Sequence, residues 1–353
     1  MPTPTRIVVQ DKPGQPLDIR EVTLPDPGPH DVLVKVHASG VCQSQLFWMH
    51  APHPDPMLFG HEGYGTVLAT GSEVAHAQEG DTVMVTWLPR AADRAPTRAC
   101  LDIPGLGTAY SPNVYTWADH ALVDELYVVP LDERGHQDVV SVVGCAVLTG
   151  AGAVTNVAPV PAGGSVAVFG VGGVGLSAVA AASIRGAEHV IAIDLGAEKL
   201  DFARKFGATH TIDASGGDPV QEIIDITGGG VDVAVDCVAL PDTVTNALNA
   251  ARPGRLGVGM GGTAVIVGLP KKPLELDIAR QINGNMLTGQ KTLVGTTAGG
   301  CRQDDIATFL DWHHTGKFDL NAFVTDRYPL ASINRAVTDL AQGRILGRAL
   351  TTM

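Results

Sequence analysis

The run Gly170-Val171-Gly172-Gly173-Val174-Gly175 constrains this chain most, because it directly follows the apolar segment Val166-Ala167-Val168-Phe169 and opens an alanine-rich helical stretch. In that setting the glycines of a G-x-G-x-x-G spacing have separate physical tasks. Gly170 permits a tight turn, Gly172 lets backbone amides approach a pyrophosphate at the helix N-terminus, and Gly175 allows close helix–strand packing. Gly173 belongs to the same nucleotide-binding turn. Asp194 ends the next apolar run, 19 residues after Gly175. A carboxylate there accepts from ribose hydroxyls and repels a 2′-phosphate. Leu195-Gly196-Ala197 follow without an arginine, so the pattern predicts NAD rather than NADP, with Lys199 in reach of the same ribose.

Around this turn the chain alternates between two periods. Ser165–Phe169, Val190–Ile193, Val231–Val235 and Thr263–Val267 are short apolar runs, interleaved with helical stretches such as Leu176–Ile184 and Ala197–Phe206. That alternation predicts a doubly wound parallel sheet. From Arg6 to about Pro130 the pattern differs: short β-type segments (Ile7–Val9, Val32–Val36, Gly65–Leu68, Thr82–Val85, Leu126–Val129) are broken by turn residues, as in an antiparallel sandwich or barrel. Glu79-Gly80-Asp81 reads as a hairpin-type turn. Leu88 to Asn113 shows no periodicity and is expected to be a long surface loop. Two amphipathic helices, Asp304–Thr315 and Leu330–Gln342, and a short strand, Arg348–Thr351, are expected after Gly300. With 353 residues and about 150 per domain, two domains are expected.

A net charge of −13 with no Lys/Arg cluster argues against a nucleic-acid partner, since a phosphate backbone would be repelled. Met1 to Gly14 is polar and proline-punctuated, and no uninterrupted apolar stretch of roughly 18 residues occurs, so a cytoplasmic protein without a membrane partner is expected. Five widely spaced cysteines fit reduced thiols better than a disulfide framework.

Two of those cysteines and one histidine stand in distinctive company. Cys42 lies in Gly40-Val41-Cys42-Gln43-Ser44, His61 in Gly60-His61-Glu62-Gly63, and Cys145 in Gly144-Cys145 followed by Thr149-Gly150. Thiol and imidazole are donors that Zn²⁺ prefers, and three protein ligands leave one position open for water or substrate. With these three segments and the glycine turn, the chain resembles the zinc-dependent medium-chain alcohol dehydrogenases over essentially its whole length. The resemblance implies an α/β fold: a GroES-like β-barrel catalytic domain (1–147 and 298–353) plus a Rossmann doubly wound parallel-sheet domain that binds NAD (148–297).

It also implies a chemistry, in which a hydride passes between NAD(H) and an alcohol or its aldehyde or ketone at one catalytic zinc. Cys42, His61 and Cys145 match the zinc ligands, Glu62 the acidic neighbour or transient fourth ligand, and Ser44 the hydroxyl that bonds the substrate oxygen. Gln43, Thr149, Val174, Val267 and Leu269 match cofactor-side positions. Phe47, Trp48, Trp87 and Leu269 suggest an apolar pocket, hence a hydrophobic primary or aromatic alcohol. The family's members imply a homodimer or homotetramer.

The chain also departs from that pattern. Only Cys100 falls in the stretch where many relatives hold four cysteines around a second, structural zinc, and one thiol cannot close a tetrahedral site. No structural zinc is therefore expected. Gln45 stands where an aspartate usually orients the histidine ligand, and is expected to accept from His61 through its amide oxygen. Phe47 stands in place of a frequent proton-relay histidine, for which His50 or His53 would be substitutes. Two rival readings follow: a zinc-free reductase of activated double bonds in the same superfamily, and a non-catalytic NAD-binding protein. The complete ligand set argues against both.

Overall fold

Alternation of apolar and polar residues has built most of the strands it predicts. The computed structural model describes residues 2–53, 56–132, 137–270 and 272–353. Its internal contacts separate two compact units, Met1–Cys145 with Arg302–Met353, and Ala146–Cys301.

The first unit opens with β1 (Thr3–Gln10), β2 (Asp18–Leu24), β3 (Asp31–Val41) and helix α1 (Gln43–His50). It continues with β4 (Met57–Leu58), β5 (Glu62–Thr70), β6 (Thr82–Thr86), β7 (Cys100–Ile103), β8 (Gly107–Tyr110), β9 (His120–Asp124) and β10 (Val128–Pro130). Val32, Val34 and Val36 alternate along β3 and are at most 1% exposed, packed with Ile7, Leu24, Val67 and Val83. Each such side chain contributes about 1.5–3 kcal/mol on burial. The predicted Glu79–Asp81 turn joins β5 to β6, with Gly80 at φ +91°.

The second unit runs α2 (Ala146–Gly152), β11 (Ser165–Phe169), α3 (Gly173–Ile184), β12 (His189–Asp194), α4 (Ala197–Arg204), β13 (His210–Asp213) and α5 (Pro219–Thr227). Then come β14 (Val233–Asp236), α6 (Pro241–Ala250), β15 (Thr263–Ile266), α7 (Ile278–Arg280), a π-helical stretch over Gln281–Thr288, and β16 (Thr292–Gly295). All six strands pair in parallel in the order β13-β12-β11-β14-β15-β16, which is the doubly wound sheet expected. Every residue of β11 is buried, as a strand covered on both faces requires.

The chain then returns to the first unit through α8 (Asp305–His314), α9 (Leu320–Phe323), β17 (Val324–Pro329), α10 (Ile333–Ala341) and β18 (Arg348–Thr352). β18 slots between β3 and β17, antiparallel to β3, with Ala349 opposite Val41 and Leu350 opposite Gly40. Ile333, Ala336 and Val337 of α10 share a core cluster with Leu46 and Met49 of α1. This packing brings the C-terminal strand beside the loop that carries Cys42.

Two expectations are corrected. The segment 88–113 is not a plain loop, because β7 and β8 form an antiparallel hairpin within it. Leu101, Ile103 and Ala109 point into the core, while glycines at 105 and 107 adopt positive φ in the turn. The proline and glycines that read as loop are the turn of a hairpin. Leu126 and Tyr127, expected in a strand, lie in a 3-10 turn because the Asp124 side chain accepts the Leu126 N–H at 2.9 Å. No single described helix is long and apolar enough to cross a membrane.

Candidate functional site

Cys42 sits at the end of β3 as the N-cap residue of α1, and His61 and Glu62 lie at the start of β5. Cys145 ends the 3-10 stretch Asp138–Gly144. One donor atom from each of the four lies within 4.8 Å of the others, among side chains that are almost fully buried. The two sulfurs are 3.7 Å apart, and Cys145 Sγ is 3.3 Å from His61 Nε2. A disulfide would need about 2.05 Å, so both thiols are reduced. Tetrahedral zinc with Zn–S about 2.3 Å and Zn–N about 2.0 Å would place the sulfurs about 3.8 Å apart and sulfur and nitrogen about 3.5 Å apart. The donor set and spacing therefore fit zinc. Among the described residues this is the one cluster with such geometry.

Glycines make room for it. A Cβ on Gly40 would lie 2.3 Å from Glu62 Oε2, and Gly60, at φ +94°, would drive a Cβ to 2.3 Å from the Trp117 backbone nitrogen. Neither position tolerates a side chain.

Arg348, from β18, is ion-paired to Glu62 Oε1 with both side chains nearly inaccessible. Glu62 Oε2 is buried with no hydrogen-bond partner. Burial lifts the Glu62 pKa against the pull of Arg348. Burial also opposes the Arg348 charge, yet Glu62, Cys42 and Cys145 keep the guanidinium protonated. The hydrogen bond from Cys145 holds the Cys42 thiol well below its ordinary value, helped by the charge of Arg348, and for the same reason Cys145 is held high. The sequence reading missed Arg348; a lone arginine opening an otherwise apolar and threonine-rich terminal strand was its available signal.

Ser44 Oγ donates to Cys42 Sγ at 3.1 Å. Trp87 presents its ring edge-on to His61, 6.5 Å between centroids. Gln45 departs from expectation: its Oε1 accepts from the buried Gly60 N–H at 2.7 Å, which turns its amide nitrogen, not its oxygen, towards His61 Nδ1 at 2.5 Å. Phe47 packs edge-on against Trp48, and Trp48 packs on the α1–α10 core cluster. His50 Nδ1 bonds to the Leu46 carbonyl oxygen, and His53 Nε2 lies 3.3 Å from Gln10 Oε1. Cys100 is exposed on β7. The segment around it is held instead by Arg94, which donates twice to Asp124 and once to Glu125.

In the second unit Gly170 adopts φ +83° between β11 and α3, and a Cβ on Gly175 would lie 2.0 Å from the Gly170 carbonyl oxygen. A Cβ on Gly172 would meet nothing within 4 Å, and no side chain caps the N-terminus of α3. Open space in front of uncapped helix amides fits a pyrophosphate. Asp194 accepts from the N–H groups of Val171, Leu195 and Gly196 at 2.8–3.1 Å. Three of a carboxylate's roughly four acceptor directions are thus filled by backbone, leaving about one for a ribose hydroxyl. Lys199, on the first turn of α4, has its side chain beside Gly196. Gly150, next to Thr149, leaves no room for a Cβ, which would lie 1.9 Å from the Val174 carbonyl oxygen. Val267 follows β15 half-buried, Leu269 is half exposed, and Gln43 is exposed.

The chain is similar to known proteins in sequence and in fold. A family described as the alcohol dehydrogenase GroES-like domain matches residues 28–133, and one described as zinc-binding dehydrogenase matches residues 173–315. A Schizosaccharomyces pombe protein described as a probable S-(hydroxymethyl)glutathione dehydrogenase is 31% identical over 94% of this chain and 93% of its own length. The crystal structure of an alcohol dehydrogenase zinc-binding domain protein from Burkholderia ambifaria is 30% identical, covers 100% of both chains and superposes with a TM-score of 0.87. That of benzyl alcohol dehydrogenase from Acinetobacter calcoaceticus is 27% identical, covers 99% of both and gives 0.86. The fold is thus a GroES-like domain joined to a Rossmann sheet, and the chain belongs to the zinc-dependent medium-chain alcohol dehydrogenase family of oxidoreductases.

Proposed function

We propose that this chain interconverts a hydrophobic, primary or aromatic alcohol and its aldehyde or ketone with NAD(H), at a single zinc held by Cys42, His61 and Cys145. The observation that carries this reading is the buried set of two sulfurs, one imidazole nitrogen and an orphaned Glu62 oxygen within 4.8 Å. When bound, zinc supplies a Lewis acid for the substrate oxygen and NAD supplies the hydride acceptor.

The chain's own residues do the rest. Arg348 fixes Glu62 behind the ligands and offsets the charge of the thiols. Ser44 exchanges its bond to Cys42 Sγ for one to the substrate hydroxyl, accepting that proton at Oγ as its own hydroxyl proton passes on towards solvent. Gly170, Gly172, Gly173 and Gly175 admit the pyrophosphate, Asp194 accepts a ribose hydroxyl with Lys199 beside it, and Thr149, Val174, Val267 and Leu269 of the same unit line the cofactor. Phe47 and Trp87 favour an apolar substrate, and a relative named for benzyl alcohol supports an aromatic one. Trp48, being part of the core cluster, contributes less.

The lone exposed Cys100 supports one zinc, and the reduced Cys42–Cys145 pair supports a reducing, cytoplasmic location. Exposed Leu256, Val258, Met260 and Leu287 in the second unit support self-association. Metal analysis is expected to find about one zinc per chain, and single-turnover mixing with NAD and a panel including benzyl alcohol to give NADH. Two zincs per chain, or no metal with reduction of activated double bonds, would refute the reading. With Phe47 in the relay position, alcohol oxidation is expected to fall off below neutral pH; Phe47→His should extend activity to lower pH, and an unchanged profile counts against the truncated relay.

A further inference from the structure

We propose that Gln45 holds His61 in the proton arrangement of the metal-free protein and thereby loosens the grip on zinc, an inference that rests on the zinc assignment above. The geometry leaves little freedom. One end of the Gln45 amide touches the Gly60 N–H at 2.7 Å and the other touches His61 Nδ1 at 2.5 Å, all three groups being buried. With Oε1 on Gly60, the amide N–H donates to Nδ1, so the imidazole proton belongs on Nε2, which faces Cys145 Sγ at 3.3 Å. Every polar group in this chain of contacts is then satisfied.

A metal on Nε2 reverses the requirement. The imidazole proton moves to Nδ1, and Gln45 faces two N–H donors, those of Gly60 and His61, at opposite ends of its amide, so that its oxygen reaches only one of them. Turning the amide over satisfies His61 and leaves the buried Gly60 N–H against an NH₂ group. Either orientation leaves one buried donor unpaired, a cost present only when metal is bound. Gln45 is thus a positioning residue whose effect on metal hold is set by acceptor count rather than by reach.

The test compares wild type, Gln45→Glu and Gln45→Met, stripped of metal and titrated with zinc against a chromophoric chelator, their folds checked by circular dichroism. Glutamate, the same length with two acceptor oxygens, is expected to bind zinc about 10–100-fold more tightly. Methionine carries no N–H to stabilise the metal-free form, so it too is expected to bind several-fold more tightly, although it adds no charge. A Met variant that binds zinc as weakly as wild type or more weakly overturns the proposal. Independently of any variant, nitrogen NMR of ¹⁵N-histidine-labelled wild type is expected to show the His61 proton on Nε2 without zinc and on Nδ1 with it. A metal-free protein with the proton already on Nδ1 would overturn it. Failure of all three proteins to bind zinc would instead overturn the zinc assignment, and this inference with it.

Discussion

The thiol cluster of the first unit and the glycine turn of the second are opposite solutions to holding a ligand. The cluster is made of side chains from distant parts of the sequence, and it is incomplete alone: Glu62 Oε2 is buried without a hydrogen-bond partner. The turn is made of backbone, and it is complete alone: Asp194 is satisfied by three N–H groups, and Gly172 leaves open space. A metal site stores unmet polar demand that the ion relieves, whereas a dinucleotide site stores room.

Five substitutions would break or sharpen that contrast. The largest effect belongs to Cys145→Ser, expected to take zinc from about one per chain to near zero and abolish turnover, while NAD binding, read by fluorescence titration, persists. Loss of NAD affinity as well would show that the two sites are not built independently. Next, Arg348→Met leaves Glu62 buried and unpaired, with an expected loss of about 3–5 kcal/mol in urea unfolding; a loss well under 1 kcal/mol would mean that Glu62 is not held ionised by Arg348.

Within the turn, Gly175→Ala meets the Gly170 carbonyl oxygen and should cost about 1–3 kcal/mol. Gly172→Ala should leave the melting temperature nearly unchanged yet weaken NAD binding. Equal effects of the two on stability would contradict the open space at Gly172.

The smallest effect lies at the Arg94 anchor of segment 88–113, a satisfied charge cluster in the same unit as the thiols. Burial opposes ionisation of Asp124 and Glu125, but hydrogen bonds from Arg94 and neighbours hold both carboxyls below their usual range. Folded pKa values that are depressed give stability present above the unfolded values near 4 and lost as pH falls through the folded ones. Arg94→Ala should therefore cost about 1–2 kcal/mol at pH 7 and less at a pH low enough to protonate both carboxyls in the folded protein, with zinc content unchanged. The same cost at both pH values would remove the charge explanation.

Legibility in the sequence follows the same division. Four of the six parallel strands and the turn were readable because each depends on residues within a few positions of one another; β13 and β16 carry no such apolar run. The hairpin in 88–113 was hidden because Pro104, Gly105 and Gly107 mark a turn without revealing that Leu101 and Ile103 flank it facing a core. Trp48 looked like a pocket residue because an aromatic beside a ligand segment reads alike whether it faces core or solvent.

The sequence by itself determined the strand–glycine turn–helix, the placement of Asp194 after the following strand and the presence of zinc-type donors, since local spacing fixes backbone geometry and residue type fixes donor chemistry. Only the tertiary structure decided that Arg348 of β18 would sit on Glu62, 286 positions away, and which end of Gln45 would face His61. Those contacts are set by strand pairing and by competition for buried acceptors, which only the assembled packing defines.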